Sequence, residues 1–252
     1  FSRIKHIFIS HLHGDHYFGL IGLISTFMLL GREAELNIYG PKGMKEVIML
    51  QLKLGKAWFN YPLNFHELVC KESEVIFEDD KVTVITVPLK HRVYTNGFVF
   101  KEKLGERKIN IEAVKDNNID MSYLQKIKQG KDIENNDGKL ILNKQITFDP
   151  EKPKSYAFCS DTQYYPACIP TIKNVTALYH ESSFLDEHEY LCAKTRHSTA
   201  RQAALIAKEA TVDRLILGHY STRYSSIDKF KTEAKQVFHN VELAEDGKKF
   251  II

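Results

Sequence analysis

The stretch SHLHGDHYFGL, residues 10–20, places His11, His13, Asp15 and His16 within six consecutive positions. The apolar run IKHIFI comes directly before it, and a second apolar stretch follows. Side chains of this kind pack poorly and, when charged alike, repel. They are also the imidazole and carboxylate donors that zinc or manganese accepts. Histidines two positions apart at a strand end can turn both rings toward one point, while a turn through Gly14 swings Asp15 and His16 toward a neighbouring point. The spacing therefore suits two metal ions. A polar loop of solvated histidines is the plain alternative, and for an isolated histidine it would prevail. H-x-H-x-D-H between a strand and a helix weighs against it.

Two metals need more donors than six residues supply, so further ones belong at strand ends elsewhere. His91 follows VTVITVPLK, Asp161 follows SYAFCS, and His219 follows VDRLILG. Each closes an apolar run with a metal-type side chain. Taken singly, a capping aspartate or a surface histidine explains each of them. Taken together, they fit loops at one sheet edge that deliver ligands to a shared pocket.

Strand-length apolar runs alternate with longer amphipathic segments, and no internal repeat occurs. IKHIFIS, AELNIYG, KVTVITV, GFVF, SYAFCS, TALYH and VDRLILGH read as strands. HYFGLIGLISTFMLLG, PKGMKEVIMLQLKLG and STARQAALIAKEA read as helices, with Pro41 near one start, Gly31 and Gly55 near two ends, and Ser198 or Thr199 as a cap. The pattern predicts a layered α/β domain.

The chain has 252 residues, 43% of them hydrophobic, which is enough for one substantial core or two small ones. No apolar stretch reaches transmembrane length. Its formal net charge of +3 is too small by itself to announce a nucleic-acid partner. Cys70, Cys159, Cys168 and Cys192 are scattered without C-x-x-C spacing, which argues against a disulfide framework or a cysteine zinc knuckle and fits a reducing cytoplasm. The chain opens within a strand-like run, without a signal peptide or an initiating methionine, so an upstream piece is expected.

Between Lys101 and Lys154 the composition shifts to lysine, aspartate, glutamate and asparagine, with a turn at ENNDGK whose tip is Asp137–Gly138. A solvated insertion and a partner-binding arm are equally compatible with this stretch.

The chain resembles the metallo-β-lactamase superfamily and, within it, is similar to the ribonuclease Z family of tRNA 3′-processing endonucleases, over nearly its whole length. H-x-H-x-D-H alone marks the superfamily. HLHGDHYFGLIGLI, HESSF at 180–184, AKTRHSTARQAA at 193–204 and LGHYSTRY at 217–224 carry the narrower likeness. The resemblance implies an α/β fold, a four-layered αββα sandwich over residues 1–252 whose N-terminal strands are missing from this chain, with an inserted arm at about 101–147. It implies that His11, His13 and His91 bind one zinc, that Asp15, His16 and His219 bind the other, and that Asp161 bridges them. Manganese or another divalent metal would suit the same donors.

The activity implied is removal of the 3′ trailer from precursor tRNA by attack of metal-activated water on a phosphodiester, leaving a tRNA 3′-hydroxyl. By the same resemblance Asp15 orients or deprotonates that water. His197, kept protonated by Glu181, supplies a proton to the departing 3′ oxygen. A histidine in the capping region ahead of Ser198 is the plain alternative for His197. A cytoplasmic homodimer is also implied, the arm of one subunit reaching tRNA bound at the other, with no membrane association.

Several positions depart from the family pattern. HESS stands where HEAT is usual, and Ser160 precedes Asp161 where glycine is usual, so the backbone beside the bridging ligand has less freedom. The arm segment NNIDMSYLQKIKQGKDI carries no Gly-Pro stretch. Lys126, Lys128 and Lys131 are candidate phosphate contacts, and Tyr123 a candidate for stacking on a base or packing within the arm, with solvated surface as the alternative for each. Two rival readings are a general zinc phosphodiesterase or other superfamily hydrolase, and a catalytically silent RNA-binding homologue.

Overall fold

The structure, a computed structural model, describes residues 3–57 and 60–252. In chain order β1 (His6–Phe8), α1 (Gly14–Leu29), β2 (Leu36–Pro41), α2 (Met44–Leu54) and β3 (Leu63–Leu68) come first. They are followed by β4 (Val75–Glu78), β5 (Val82–Leu89) and β6 (Thr95–Glu102). After β6 come β7 (Lys108–Ile109), α3 (Ile111–Asp116), α4 (Leu124–Lys128), β8 (Ile133–Glu134), β9 (Leu140–Ile141) and β10 (Thr147–Phe148). The last part holds β11 (Ser155–Cys159), α5 (Ile169–Ile172), β12 (Ala177–Glu181), α6 (Cys192–Thr195), α7 (Ala200–Glu209), β13 (Leu215–Gly218), α8 (Asp228–Lys235) and β14 (Val241–Leu243).

The described chain divides into two compact units. The larger takes residues up to 77, 84–100 and 155–252, and the smaller takes 78–83 and 101–154.

In the larger unit β1, β2 and β3 form a parallel sheet, with Ile7 opposite Ile38 and Ile38 opposite Phe65. Every residue of β2 is buried, as expected for a central parallel strand covered on both faces. On one face lie α1 and α2. Leu20, Ile24 and Phe27 recur at helical spacing on α1 and pack with Met44, Ile48 and Leu52 of α2. On the other face Phe8 and Tyr39, stacked at 4.7 Å, meet Phe98 and Phe100 of β6.

Those phenylalanines belong to a second sheet ordered β14-β13-β12-β11-β6-β5-β4, in which β11 to β14 run parallel. Its outer face is covered by α7 and α8. Ala200, Ala203, Ala204 and Ala207 present a flat, methyl-sized surface to the strands, so α7 lies close against Leu178, Leu215 and Leu217. The layers therefore run helix, sheet, sheet, helix. Gly97 admits a close approach between β6 and β11: a Cβ there would stand 2.5 Å from the Phe158 carbonyl oxygen.

The smaller unit has its own core of Val114, Ile119, Ile127, Ile133, Ile141 and Ile146. Its β8–β9 hairpin turns at Gly138 (φ +77°), where Asn135 Oδ1 accepts from the amides of Asp137 and Lys139. Tyr123 packs against this core, and the Lys126 ammonium sits 5.1 Å from its ring centroid.

Local readings of the sequence differ from the structure at a few points. Pro41 closes strand β2, and α2 starts only at Met44, behind Gly43 in the left-handed region (φ +94°). The cap of α7 is Thr199, which accepts from the Gln202 amide while the Gln202 side chain accepts from the Thr199 amide. Strands β3, β4 and β14 and helix α8 have no counterpart in the sequence reading, because LNFHEL, VIFE and VEL are too short and mixed to show a period. All four cysteines are buried and free. Among the described residues no helix is long and apolar enough to cross a membrane.

Candidate metal centre

The parallel strands β11, β12 and β13 end at one edge of their sheet, and the loops just past them carry Asp161, Ser182–Ser183 and His219, while Glu181 is the last residue of β12. His11 and His13 lie between β1 and α1, and His91 lies just past β5. The structure brings the side chains of all seven expected ligands into adjoining clusters: His11, His13, His91 and Asp161 in one, Asp15, His16 and His219 in another, with Asp161 also grouped with His197 and His219.

The two oxygens of Asp161 face different partners. Oδ2 stands 3.6 Å from His11 Nε2 and 3.7 Å from His91 Nε2. Oδ1 stands 3.4 Å from His16 Nε2 and 3.3 Å from His219 Nε2. On the first side His13 Nδ1 lies 3.1 Å from His11 Nε2 and 3.3 Å from His91 Nε2. On the second, Asp15 Oδ2 lies 3.3 Å from His16 Nε2.

These separations test whether a metal fits. Donors 2.0–2.1 Å from a tetrahedral ion stand about 3.3–3.4 Å apart. The observed edges, 3.1–3.7 Å on one side of Asp161 and 3.3–3.4 Å on the other, bracket that value. His16 Nε2 is also buried with no hydrogen-bond partner, which is costly unless something electropositive meets it. Five imidazoles and two carboxylates are an N/O donor set suited to two divalent ions of the zinc or manganese type.

A second layer sets the tautomers. His91 Nδ1 donates to the Arg196 carbonyl at 2.9 Å, so the neutral ring turns a bare Nε2 lone pair inward. Hydroxyls hold the outer nitrogens of three others: Ser10 Oγ at His11 (3.0 Å), Ser160 Oγ at His16 (3.4 Å) and Ser183 Oγ at His219 (3.0 Å). Burial, joined by the neighbouring His16, pushes the His11 imidazole down to about 3, and burial also lowers His16 and His91. Neutral imidazole is the form that ligates metal.

Beside this centre Glu181 is fully buried with both oxygens occupied. Oε1 accepts from His197 Nδ1 (2.8 Å) and from the amides of Thr162 and Ser198; Oε2 accepts from the Ser183 amide and hydroxyl. Burial raises the carboxyl, but the His197 hydrogen bond and the charges of His197, His219 and His180 together outweigh it and hold Glu181 below its ordinary range. Burial likewise opposes charge on His197, but the Glu181 hydrogen bond and the charges of Glu181 and Asp161 together overcome it, so His197 is held above the usual imidazole range.

The loop carrying His197 is pinned by a parallel bridge between Phe184 and Thr199. Arg196 and His219 both adopt the left-handed region (φ +62° and +59°), an unfavourable backbone for side chains of this size that the surrounding bonds enforce. His197 also opens on a recess of about 420 Å³ lined by Gln163, Tyr164 and Arg196.

The three serines and the Arg196 carbonyl escaped sequence reading. Ser10 and Ser160 flank ligands in the chain and Ser183 follows Glu181 by two residues, but nothing in the order of residues marks a hydroxyl as an imidazole partner. Lys126, Lys128 and Lys131 lie in the smaller unit on exposed surface, Lys128 Nζ 4.0 Å from Glu106.

Two packed sheets between helix layers, with a histidine and aspartate cluster at the strand ends, define a metallo-β-lactamase-fold protein. Solved structures agree. Human tRNase Z, short form, aligns over 97% of this chain and 78% of its own, with a TM-score of 0.66 and 24% identity. The metallo-β-lactamase fold protein YhfI from Bacillus subtilis aligns over 97% of this chain and 76% of its own, with a TM-score of 0.62 and 19% identity. No protein-family model matches. Among curated proteins, ribonuclease Z from Bacteroides fragilis is 42% identical over 247 residues, 98% of this chain and 81% of the relative. Ribonuclease Z from Cytophaga hutchinsonii is 43% identical over 242 residues, 95% of this chain and 76% of the relative. The chain belongs to the ribonuclease Z family.

Proposed function

We propose that this protein is an endoribonuclease that removes the 3′ trailer from precursor tRNA, holding two zinc ions between Asp161 and its surrounding imidazoles. His11, His13 and His91 would hold one ion and Asp15, His16 and His219 the other, with Asp161 serving both. The observation that carries the reading is the division of Asp161, Oδ2 toward His11 and His91 and Oδ1 toward His16 and His219. Membership of the ribonuclease Z family supplies the substrate class. When bound, such ions supply a water of depressed pKa and neutralise charge on a phosphodiester.

The chain's own residues do the rest. Asp15, which would also hold the second ion, has a side chain 70% exposed at the start of α1 and is placed to orient the attacking water or take its proton. The departing group is the 3′ oxygen of the tRNA, which needs a proton as its bond to phosphorus breaks. His197 carries that proton on Nε2, because Nδ1 is committed to Glu181, and Glu181 keeps the ring charged until transfer. The products are a tRNA ending in a 3′-hydroxyl and a trailer beginning with a 5′-phosphate.

The test is the product ends from one defined 3′-extended tRNA transcript, run beside a small chromogenic phosphodiester. A 3′-hydroxyl at the mature end supports the reading. Hydrolysis of the small ester with the transcript left intact would replace it with a general phosphodiesterase. RNA binding that survives chelation, with no cleavage of either substrate, would point to a silent homologue. The homodimer implied by the family likeness is read separately, by light scattering.

A further inference from the structure

A recess of about 440 Å³ in the larger unit is lined by Lys42, Lys71, Tyr94, Tyr165, Leu68 and Leu89, among others. No carboxylate lines it. Lys42 and Lys71 are exposed and have no ion-pair partner among the described residues. Tyr94 is 37% exposed, and its hydroxyl accepts from Asn96 Nδ2 at 2.7 Å, so the ring is held in place. The recess thus combines positioned aromatic rings, an apolar floor and two free cations.

It also adjoins the metal centre. Leu89 precedes His91 by two residues, roughly 7 Å of chain at most. The Asn96 amide donates to the carbonyl of Ser10, the residue before His11, at 3.1 Å. Leu12, between His11 and His13, lies against Gly43 beside Lys42, its Cδ1 3.8 Å from where a Gly43 Cβ would be. Aromatic faces with lysines along a backbone path are how proteins hold single-stranded nucleic acid, since every base has a face to stack and every linkage a charge to neutralise.

We propose that this recess is a nucleotide subsite: it takes one unpaired RNA nucleotide flanking the cleaved bond, its base against Tyr94 and Tyr165 and its phosphates toward Lys42 and Lys71. The inference rests on the nuclease reading above, and the experiment separates the two.

The metal-loaded protein is titrated with two RNAs, a 3′-extended tRNA and an unstructured strand. Each carries a methylphosphonate at one linkage, at the processing site in the tRNA, and 2-aminopurine at successive positions around it. Stacking should quench fluorescence at one position near that linkage, and Tyr94→Leu should abolish the quench and weaken binding about tenfold. Lys42→Ala and Lys71→Ala, which alter only exposed side chains, should each lower the salt slope of binding by about 0.7. A quench that persists in Tyr94→Leu, or absence of any quench with salt slopes unchanged in both lysine variants, overturns the subsite even if unmodified pre-tRNA is cleaved. A Tyr94-dependent quench on the unstructured strand by a protein that leaves pre-tRNA uncut upholds the subsite and removes the tRNA reading.

Discussion

His197 and Glu181 stand where general acid chemistry and structural stability meet. The imidazole is held above its ordinary range, so its charged form persists to higher pH than a free histidine would allow. Cleavage should therefore decline as pH rises through that raised value. Glu181→Gln, which keeps an oxygen acceptor but removes the charge, should shift the alkaline limb of the pH profile to lower pH. His197→Ala should lower kcat on pre-tRNA by about 10²–10⁴-fold, measured at equal bound metal. By linkage the His197 charge stabilises the fold fully below the unfolded imidazole's pKa and loses that contribution as pH climbs through the folded value, while Glu181, held low, loses its own contribution as pH falls through its depressed value. Glu181→Ala would strand five donors and should cost about 3–5 kcal/mol in chemical denaturation. At this scale the gathering of the seven metal-type side chains was legible because four of them fall within six positions and the other three each close an apolar run. The hydroxyls of Ser10, Ser160 and Ser183 were not, since a serine beside a histidine is unremarkable until the loop's path is known.

At the level of elements, a glycine in β13 sets the position of the histidine that follows. A Cβ on Gly218 would meet the Tyr179 hydroxyl at 2.4 Å, and the next residue is His219. Gly218→Ala should cost about 1–3 kcal/mol by thermal denaturation and lower metal per chain on elemental analysis, because any shift of β13 moves His219. Strands such as SYAFCS and KVTVITV were legible from their β-branched and aromatic runs, and α7 from its Ser-Thr start and alanine-rich face. Pro41 misled because a proline just ahead of a helical pattern also suits a strand's last residue. The sheet partners of LNFHEL and VEL depend on neighbours far away in the chain, so no local period marks them.

At the scale of the whole molecule, the two compact units have separate cores, which predicts separable effects. Ile127→Ala empties a fully buried position of the smaller core and should cost about 2–5 kcal/mol, seen as faster hydrogen exchange within residues 101–154, with metal content unaltered. The lysine-rich composition of that unit hid six buried aliphatic residues spread over more than thirty positions, which is why sequence alone left a solvated insertion open. The proposed chemistry depends on Asp161 standing between two cations. Anomalous diffraction from crystals grown with zinc measures this directly. Two peaks flanking Asp161, one against Oδ2 with His11, His13 and His91 and one against Oδ1 with Asp15, His16 and His219, are the predicted result. A single peak, or none, at full zinc loading would contradict it.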